Sequence, residues 1–447
     1  MGKALLFLII IATSGATFLR PWIGPLGYYM LAIFGPQYIW WWNFEGLRVS
    51  FFIAAATISA FCISVMQGKL NYNLLFTKPN LAVIMLWMAL VISYFAGPYV
   101  DSAMLNSQQG SPLRFLYEAN KIFLFYFISV LLIDDLKKAN VFSWIIIIAT
   151  IYLIYWANSQ YFSQNWYAFQ LGRLKGPGGM AGTSPYSDEN AFAMLFVTGL
   201  PFLFYYGLYQ LKGLKRFLLW LIIPLGWHAI FLTGSRGGLV GIVATLFLGM
   251  MFSNHKKIAV LLIPAFLIAF QWQSGDLLKD RSQTIVDYEG EDSAETRIEA
   301  WAAALNMLQS NPIAGVGIGS FIIAMPNFSD KQPRATHSTP FQFAAEAGYP
   351  ALLAYCYIIW AFFRWSFKIR KRLLNHRDKF PDKDWPILMY LNEAGLVSFF
   401  GLFVCALFLS LNYYEIFFFL LILFGFLKYY VFEKLNQGFN RGVEVHG

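Results

Sequence analysis

The sequence predicts an all-α polytopic membrane protein, with about 12 transmembrane helices (12–13) and one large extramembrane helical loop. Three observations carry that expectation. Of 447 residues, 58% are hydrophobic and 19% aromatic, and only 13% are charged; a soluble domain carries about a quarter charged residues. The apolar residues arrive in blocks of roughly 17 to 23, the length of a bilayer-crossing helix. The blocks are continuous and not alternating, which in hydrocarbon favours helices that satisfy their own backbone.

Candidate spans run at 4–19, 22–43, 49–67, 81–99, 121–133, 140–156, 191–208, 216–233, 238–253, 257–271, 340–363, 388–411 and 413–431. The first, ALLFLIIIATSGATFL, has the look of a signal peptide, but the chain continues through Arg20-Pro21 into further spans, so it reads as a retained membrane segment. Thirteen crossings put the N-terminus outside; one fewer crossing in residues 1–43 puts it inside, and both remain open. Cys62, Cys356 and Cys405 all lie in apolar runs and form neither a disulfide framework nor a metal site.

Lys and Arg in short loops set orientation. The segments 134–138 (DDLKK), 212–216 (KGLKR), 255–257 (HKK) and the very basic loop 364–384 fall on one side, expected to be the cytoplasm. The net charge of +9 is therefore topological, and nucleic acid is not an expected partner; membrane lipids are. The opposite face holds 100–120, 157–190 and the large loop. Three regions follow: 1–271 with the first ten or so spans and short outer loops, 272–339 as the large loop domain, and 340–447 with the last spans and a cytoplasmic tail.

FLTGSRGGLVG, 231–241, places Arg236 in a turn of a few residues on the non-cytoplasmic face, where the positive-inside bias disfavours arginine. An arginine among glycines at a membrane surface suits a lipid-linked phosphate: the guanidinium is a rigid fork of donors, and glycine permits close approach. Contact with an ordinary phospholipid headgroup is the competing reading. Arg173 and Lys175 in GRLKGPGG, Arg281, Arg297 and Arg334 share that face.

In the large loop, Asp292 and Glu295 read as a capping box for a helix over 293–309. Arg297, Trp301, Ala304 and Leu308 fall on one face of it, and Asn311-Pro312 end it. The acidic residues Glu289, Glu291, Asp292, Glu295 and Glu299 read as a solvated helix start, not as a metal site or glycosidase pair. GVGIGSF, 315–321, lacks the strand context of a dinucleotide loop and reads as a tight turn returning the chain to the membrane. In RATHSTPFQFAAEAGYP, 334–350, Ser338 or Thr339 caps a helix with Pro340 in its first turn. His337 then stands at the mouth of that helix. Of the other histidines, His255 and His376 lie in basic loops, His446 in the tail and His228 within a span, so only His337 shares the face of Arg236. A neutral imidazole takes a proton from a hydroxyl near neutral pH. Glu346, nine residues on, implies a function or a buried partner. Together these residues fit a polyprenyl diphosphate donor held by arginines and an acceptor hydroxyl activated by histidine. Diphosphate is a good leaving group, so no metal and no cofactor is expected.

LTGSRGG after a span, TRIEAW and NPIAGVGIGSF in a large loop, and HSTPFQFAAEAGYPALL opening the next span resemble the O-antigen ligase and polymerase superfamily (WaaL and its relatives). RLKGPGGMAGTSPYSDENAFAM, 173–194, is similar to the family's arginine-glycine-asparagine segment, and the N-terminal LRPWIGPLGYYMLAIFGPQYIWWW looks like its O-glycosylation ligase subgroup. The resemblance implies a GT-C-type glycosyltransferase of the bacterial inner membrane. It implies twelve spans, both termini in the cytoplasm and a periplasmic active site, and a glycan moved from undecaprenyl diphosphate without metal and with inversion. By matching position it implies His337 as catalytic base, Arg236 on the diphosphate, Arg297 supporting donor or loop, and Arg173 as a further phosphate ligand. Lys175, Asn190, Arg334 and Glu346 would support them; Pro185-Tyr186-Ser187-Asp188-Glu189 departs from the usual short run before the asparagine. The acceptor expected first is the lipid A-core of lipopolysaccharide. Polymerase and protein O-oligosaccharyltransferase activities are the alternatives within the superfamily. A flippase of lipid-linked sugar is the alternative outside it; such folds show internal repeats and paired broken helices at the midplane, and the sequence shows neither pattern.

Overall fold

The computed structural model describes residues 2–39, 49–105, 111–170, 172–179, 184–252, 256–273, 292–410 and 412–434. The protein is an all-α polytopic membrane protein. Nine described helices are long and apolar enough to cross a membrane, and Ala4–Leu19, Arg236–Met251 and Ile263–Trp272 are shorter apolar helices.

The principal helices are α1 (Gly2–Leu19), α2 (Ile23–Tyr29), α3 (Val49–Met66), α4 (Lys78–Ala96), α5 (Pro112–Leu132), α6 (Leu136–Phe162) and α7 (Glu189–Gln210). They continue as α8 (Gly213–Trp220), α9 (Ile222–Thr233), α10 (Arg236–Phe252), α11 (Lys256–Gln273), α12 (Asp292–Ser310), α13 (Thr339–Asn375), α14 (Trp385–Ala406) and α15 (Glu415–Tyr429). Side-chain oxygens start several of them. Ser111 accepts from the Leu113 N–H, Asp135 from the Lys138 N–H, and Asp188 from those of Asn190 and Ala191; each satisfies an N–H that the first turn leaves without a partner.

Helices α7 and α14 form the centre of the bundle; 83% and 78% of their apolar windows are buried. They meet through a hydrogen bond from Ser398 Oγ to the Thr198 carbonyl at 2.6 Å. The crossings alternate in direction from α6 onward, α8 and α9 together making one (Gly213–Thr233) and α12 lying in the large loop. One end of the bundle therefore collects the N-termini of α7, α10, α13 and α15, and the other collects the basic segments 134–138, 212–216 and 364–384.

Four expectations need correction. The 22–43 segment does not form one helix: α2 passes into a π-turn at Met30–Phe34, which Gly35 closes at φ 60°; residues 40–48 lie outside the described residues. The 121–133 span begins nine residues earlier, at Pro112, where Ser111 caps it. The basic loop 364–384 is helical as far as Asn375, because Ile369 and Leu373 are buried against the bundle and Arg370 pairs with Glu393 at 3.0 Å; the exposed Arg364 and Lys368 lie over aromatic rings, 5.1 Å from the Trp360 ring centre and 4.6 Å from that of Trp365. Ser338 holds the N-cap position of α13, but its hydroxyl makes no capping bond and is buried with no partner among the described residues.

The glycine turn 315–319 wedges into a break in α13. Gly348 has φ 71°, and a Cβ there would lie 2.5 Å from the Pro312 carbonyl oxygen. The Val316 and Gly317 N–H groups donate to the carbonyls of Ala345 and Glu346 at 2.8 and 3.1 Å, and Tyr349 N–H donates to Pro312. Gly97, at the end of α4, packs so close to Gly317 that a Cβ would lie 2.3 Å from its Cα. Three backbones thus meet where a side chain has no room. The turn docks the large loop onto the bundle, as its sequence predicts.

Candidate active site at one end of the bundle

Three chain segments carry the candidate residues at the end of the bundle that holds the N-terminus of α7, and two of them meet there. The first is a short hairpin, Phe169–Gln170 paired antiparallel with Arg173–Leu174, which projects Arg173 and Lys175. Arg173 Nη1 lies 2.7 Å from Glu189 Oε1, and Lys175 Nζ lies 2.5 Å from Glu189 Oε2. The second is the turn between α9 and α10. Gly234 takes φ 60°, which ends α9 and lets α10 start at Arg236. The stem of Arg173 lies across this turn: a Cβ on Gly234 would be 3.3 Å from Arg173 Cγ. Ser235 Oγ donates to Asn190 Oδ1 at 2.6 Å and accepts from Gly238 N–H at 3.0 Å. The sequence-predicted residues Arg173, Lys175, Asn190 and Arg236 are therefore neighbours through Glu189, Gly234 and Ser235.

The third segment carries His337. Its backbone is left-handed, φ 46°, which is uncommon for a residue with a Cβ. Such a conformation costs about 1–2 kcal/mol and persists where its surroundings fix it. Here both flanks are fixed. Trp301 Nε1 donates to the Thr336 carbonyl at 2.9 Å, Thr336 Oγ1 meets Ser410 Oγ at 3.1 Å, and Thr339 Oγ1 donates to the Leu409 carbonyl at 2.7 Å. Trp301 also stacks on Phe341, ring centres 5.2 Å apart. The face of α12 that the spacing of Arg297, Trp301, Ala304 and Leu308 predicts is the face that packs, with Ala304 and Leu308 buried.

His337 lines an open cleft of about 340 Å³ with Thr296, Arg297, Pro333, Arg334 and Ala335. Crowding by protein lowers the imidazole pKa from its ordinary value, the Arg297 charge lowers it further, and Asp188 pulls it partly back. Part of the ring still faces the cleft, so its desolvation is incomplete. The imidazole is accordingly neutral at neutral pH and able to accept a proton. The influence of Asp188, the cap of α7, links this cleft to the Arg173–Glu189 cluster.

Glu346 stands apart from that group. It is 3% exposed, and its carboxylate faces Gln342 Nε2 at 3.4 Å and the backbone N–H groups of Gly319 and Phe321. Its own carbonyl accepts from Ser93 Oγ at 2.6 Å. The buried partner expected for Glu346 is thus the glycine turn. Among the acidic residues of the loop, Glu299 pairs with Lys331 at 2.9 Å and Glu295 is exposed. Glu289, Glu291 and Arg281 lie outside the described residues, as do the side chain of Asp292 and with it the expected capping box. His228 is buried with its Nδ1 2.7 Å from Asn158 Oδ1, away from the cleft.

Sequence reasoning passed over Asp188, Glu189, Ser235 and the clamp made by Trp301. A signal existed for two of them: an aspartate a few residues ahead of an apolar run suits an N-cap, and a carboxylate in the same loop as two cations is their natural partner. Ser235 and Trp301 act through contacts with residues 45 and 35 positions distant, which no local pattern reveals.

Residues 217–356 match the family model described as O-antigen ligase. This domain takes in the turn of Arg236, the α12 helix and His337, and it supports membership of the chain in the O-antigen ligase and polymerase superfamily. The curated proteins give no match to the chain.

Proposed function

We propose, taking that family domain as premise, that this chain is an O-antigen ligase. It transfers a glycan from undecaprenyl diphosphate to a hydroxyl of the lipid A-core, at the periplasmic face of the bacterial inner membrane. The observation that supports this most is that Arg173, Lys175, Asn190 and the Arg236 turn lie at the same end of the bundle as the His337–Arg297 cleft, with the charge of Asp188, beside Glu189, acting on His337. The basic segments collect at the other end, as the positive-inside rule requires of a cytoplasmic face.

In this reading His337 takes the proton of the acceptor hydroxyl as its oxygen attacks the anomeric carbon. The bond from that carbon to the diphosphate oxygen breaks, and the diphosphate leaves on its lipid. Attack comes from the face opposite the leaving group, so the anomeric centre inverts. Charge develops on the departing diphosphate, and cations already in place stabilise it without reorganisation. Arg236 is suited to this because it also opens a helix, whose first N–H groups and dipole favour an anion. Arg297 acts on the base as well, since its charge adds to burial in lowering the His337 pKa. The leaving group is good enough that neither a metal nor another cofactor is needed.

The reading is tested by a lipopolysaccharide gel from a host lacking its own ligase, expressing the wild type, His337→Ala or His337→Asn. Asparagine tolerates the left-handed backbone, so it removes the imidazole while sparing the turn. Restoration of the ladder on lipid A-core by the wild type alone is the expected result. A wild type that restores nothing while carrier-linked or protein-linked glycan changes overturns the ligase reading in favour of polymerase or protein transferase.

A further inference from the structure

We propose that Glu189 is a positioning residue for the donor diphosphate. It gathers Arg173 and Lys175 into one preset clamp and leaves the Nε–H of Arg173 to take a phosphoryl oxygen. The inference rests on the polyprenyl diphosphate reading given above.

Glu189 is 8% exposed, and it uses a separate oxygen for each cation. Arg173 and Lys175 are two residues apart in one hairpin arm, and without the carboxylate between them they would repel. With it they are held at one place, with one net positive charge to spare. The guanidinium is only partly used. Nη1 is on Glu189, while Nε is buried and has no hydrogen-bond partner among the described residues. A buried donor left unsatisfied is costly, and such groups are retained where a ligand completes them. A planar fork can hold a carboxylate on one edge and a phosphate oxygen on another; a lysine cannot.

The same cluster is tied to the Arg236 turn from two sides. The Arg173 stem lies across Gly234, and Asn190, the residue after Glu189, accepts from Ser235. Glu189 therefore fixes the hairpin cations relative to Arg236, so that cations from two segments present one site to the two phosphoryl groups. A competing role is available to the same carboxylate: it imitates a phosphate and would have to be displaced by the donor.

The experiment uses the full-length protein in detergent. Binding of farnesyl diphosphate, and donor KM and kcat for transfer, are measured for wild type, Glu189→Gln, Glu189→Asp and Arg173→Lys. A thermal midpoint near that of the wild type checks that each variant is folded. Loss of one preset charge-assisted contact predicts that Glu189→Gln raises the diphosphate Kd and donor KM about tenfold, with kcat changed less than about twofold. Glu189→Asp should recover part of the loss. Arg173→Lys, which keeps the ion pair but lacks the Nε–H, should weaken diphosphate binding as well. Tighter binding in Glu189→Gln would identify a competitor and overturn the proposal, and unchanged binding would reduce the triad to a fold contact and overturn it too. A folded wild type that transfers no glycan from a polyprenyl diphosphate donor and binds no farnesyl diphosphate removes the donor reading itself, and the proposal with it.

Discussion

Glu189 and Glu393 lie at opposite ends of the bundle, and each draws in a cation from another element. Glu393 is 2% exposed; Arg370 Nε lies 3.0 Å from one oxygen and Tyr209 donates to the other at 2.9 Å. The surrounding cations are spent on aromatic rings. Arg377 lies 4.9 Å from the Trp385 ring centre, Arg372 5.0 Å from that of Phe432, and Lys428 4.9 Å from that of Trp365. At the other end Glu189 holds two cations, and Arg297 and Arg334 face an open cleft with His337. Both ends are basic, but one uses its cations in packing and the other presents them to a cavity. Charge alone therefore does not mark a site; what surrounds the charge does.

Substitutions at the two ends should fail in different ways. The largest effect is expected from His337→Asn, which should lower kcat by about 10²–10⁴-fold, the usual contribution of a general base, with the thermal midpoint unchanged. A kcat within about threefold of wild type would end the base assignment. At the other end, Arg370→Ala should leave Glu393 buried without its cation and destabilise the fold by about 3–5 kcal/mol. Thermal unfolding in detergent measures this, and donor KM in the surviving protein should not move; a raised KM would mean the two ends are coupled.

Arg236→Lys comes next. A point charge does not replace the fork, so donor KM should rise about tenfold or more while acceptor KM stays put; an equal rise in both would remove Arg236 from the diphosphate. The subtlest expectation is a pH effect. The Arg297 charge holds the His337 pKa down, so Arg297→Gln should raise it, and the acidic limb of kcat should move to higher pH. Asp188→Asn should move that limb the opposite way, since Asp188 favours the imidazolium. Profiles that coincide would show that His337 does not titrate in the transfer step.

Much of the fold was legible in the chain because the bilayer imposes length and composition on every crossing segment. The helices, the packing face of α12 and the tight turn at 315–321 follow from apolar run lengths, three-and-four spacing and glycine content. Residues 22–43 misled because the run is apolar throughout, while the break at Gly35 depends on backbone geometry. The length of α13 misled because the partners of its basic stretch, Glu393 and Phe432, lie far along the chain.

Residue type and local period suffice to make this a helical membrane protein, and to assign the cations and the histidine that belong to one face. They do not suffice to bring Arg173 and Lys175 onto Glu189, to tie Asn190 to the Arg236 turn through Ser235, or to fix His337 in a left-handed backbone beside Arg297. Those arrangements came from the packed bundle. The reason is physical: each is a contact of a few ångströms between segments distant in the chain. Contacts of that kind are set by how the helices pack, and no single segment encodes them.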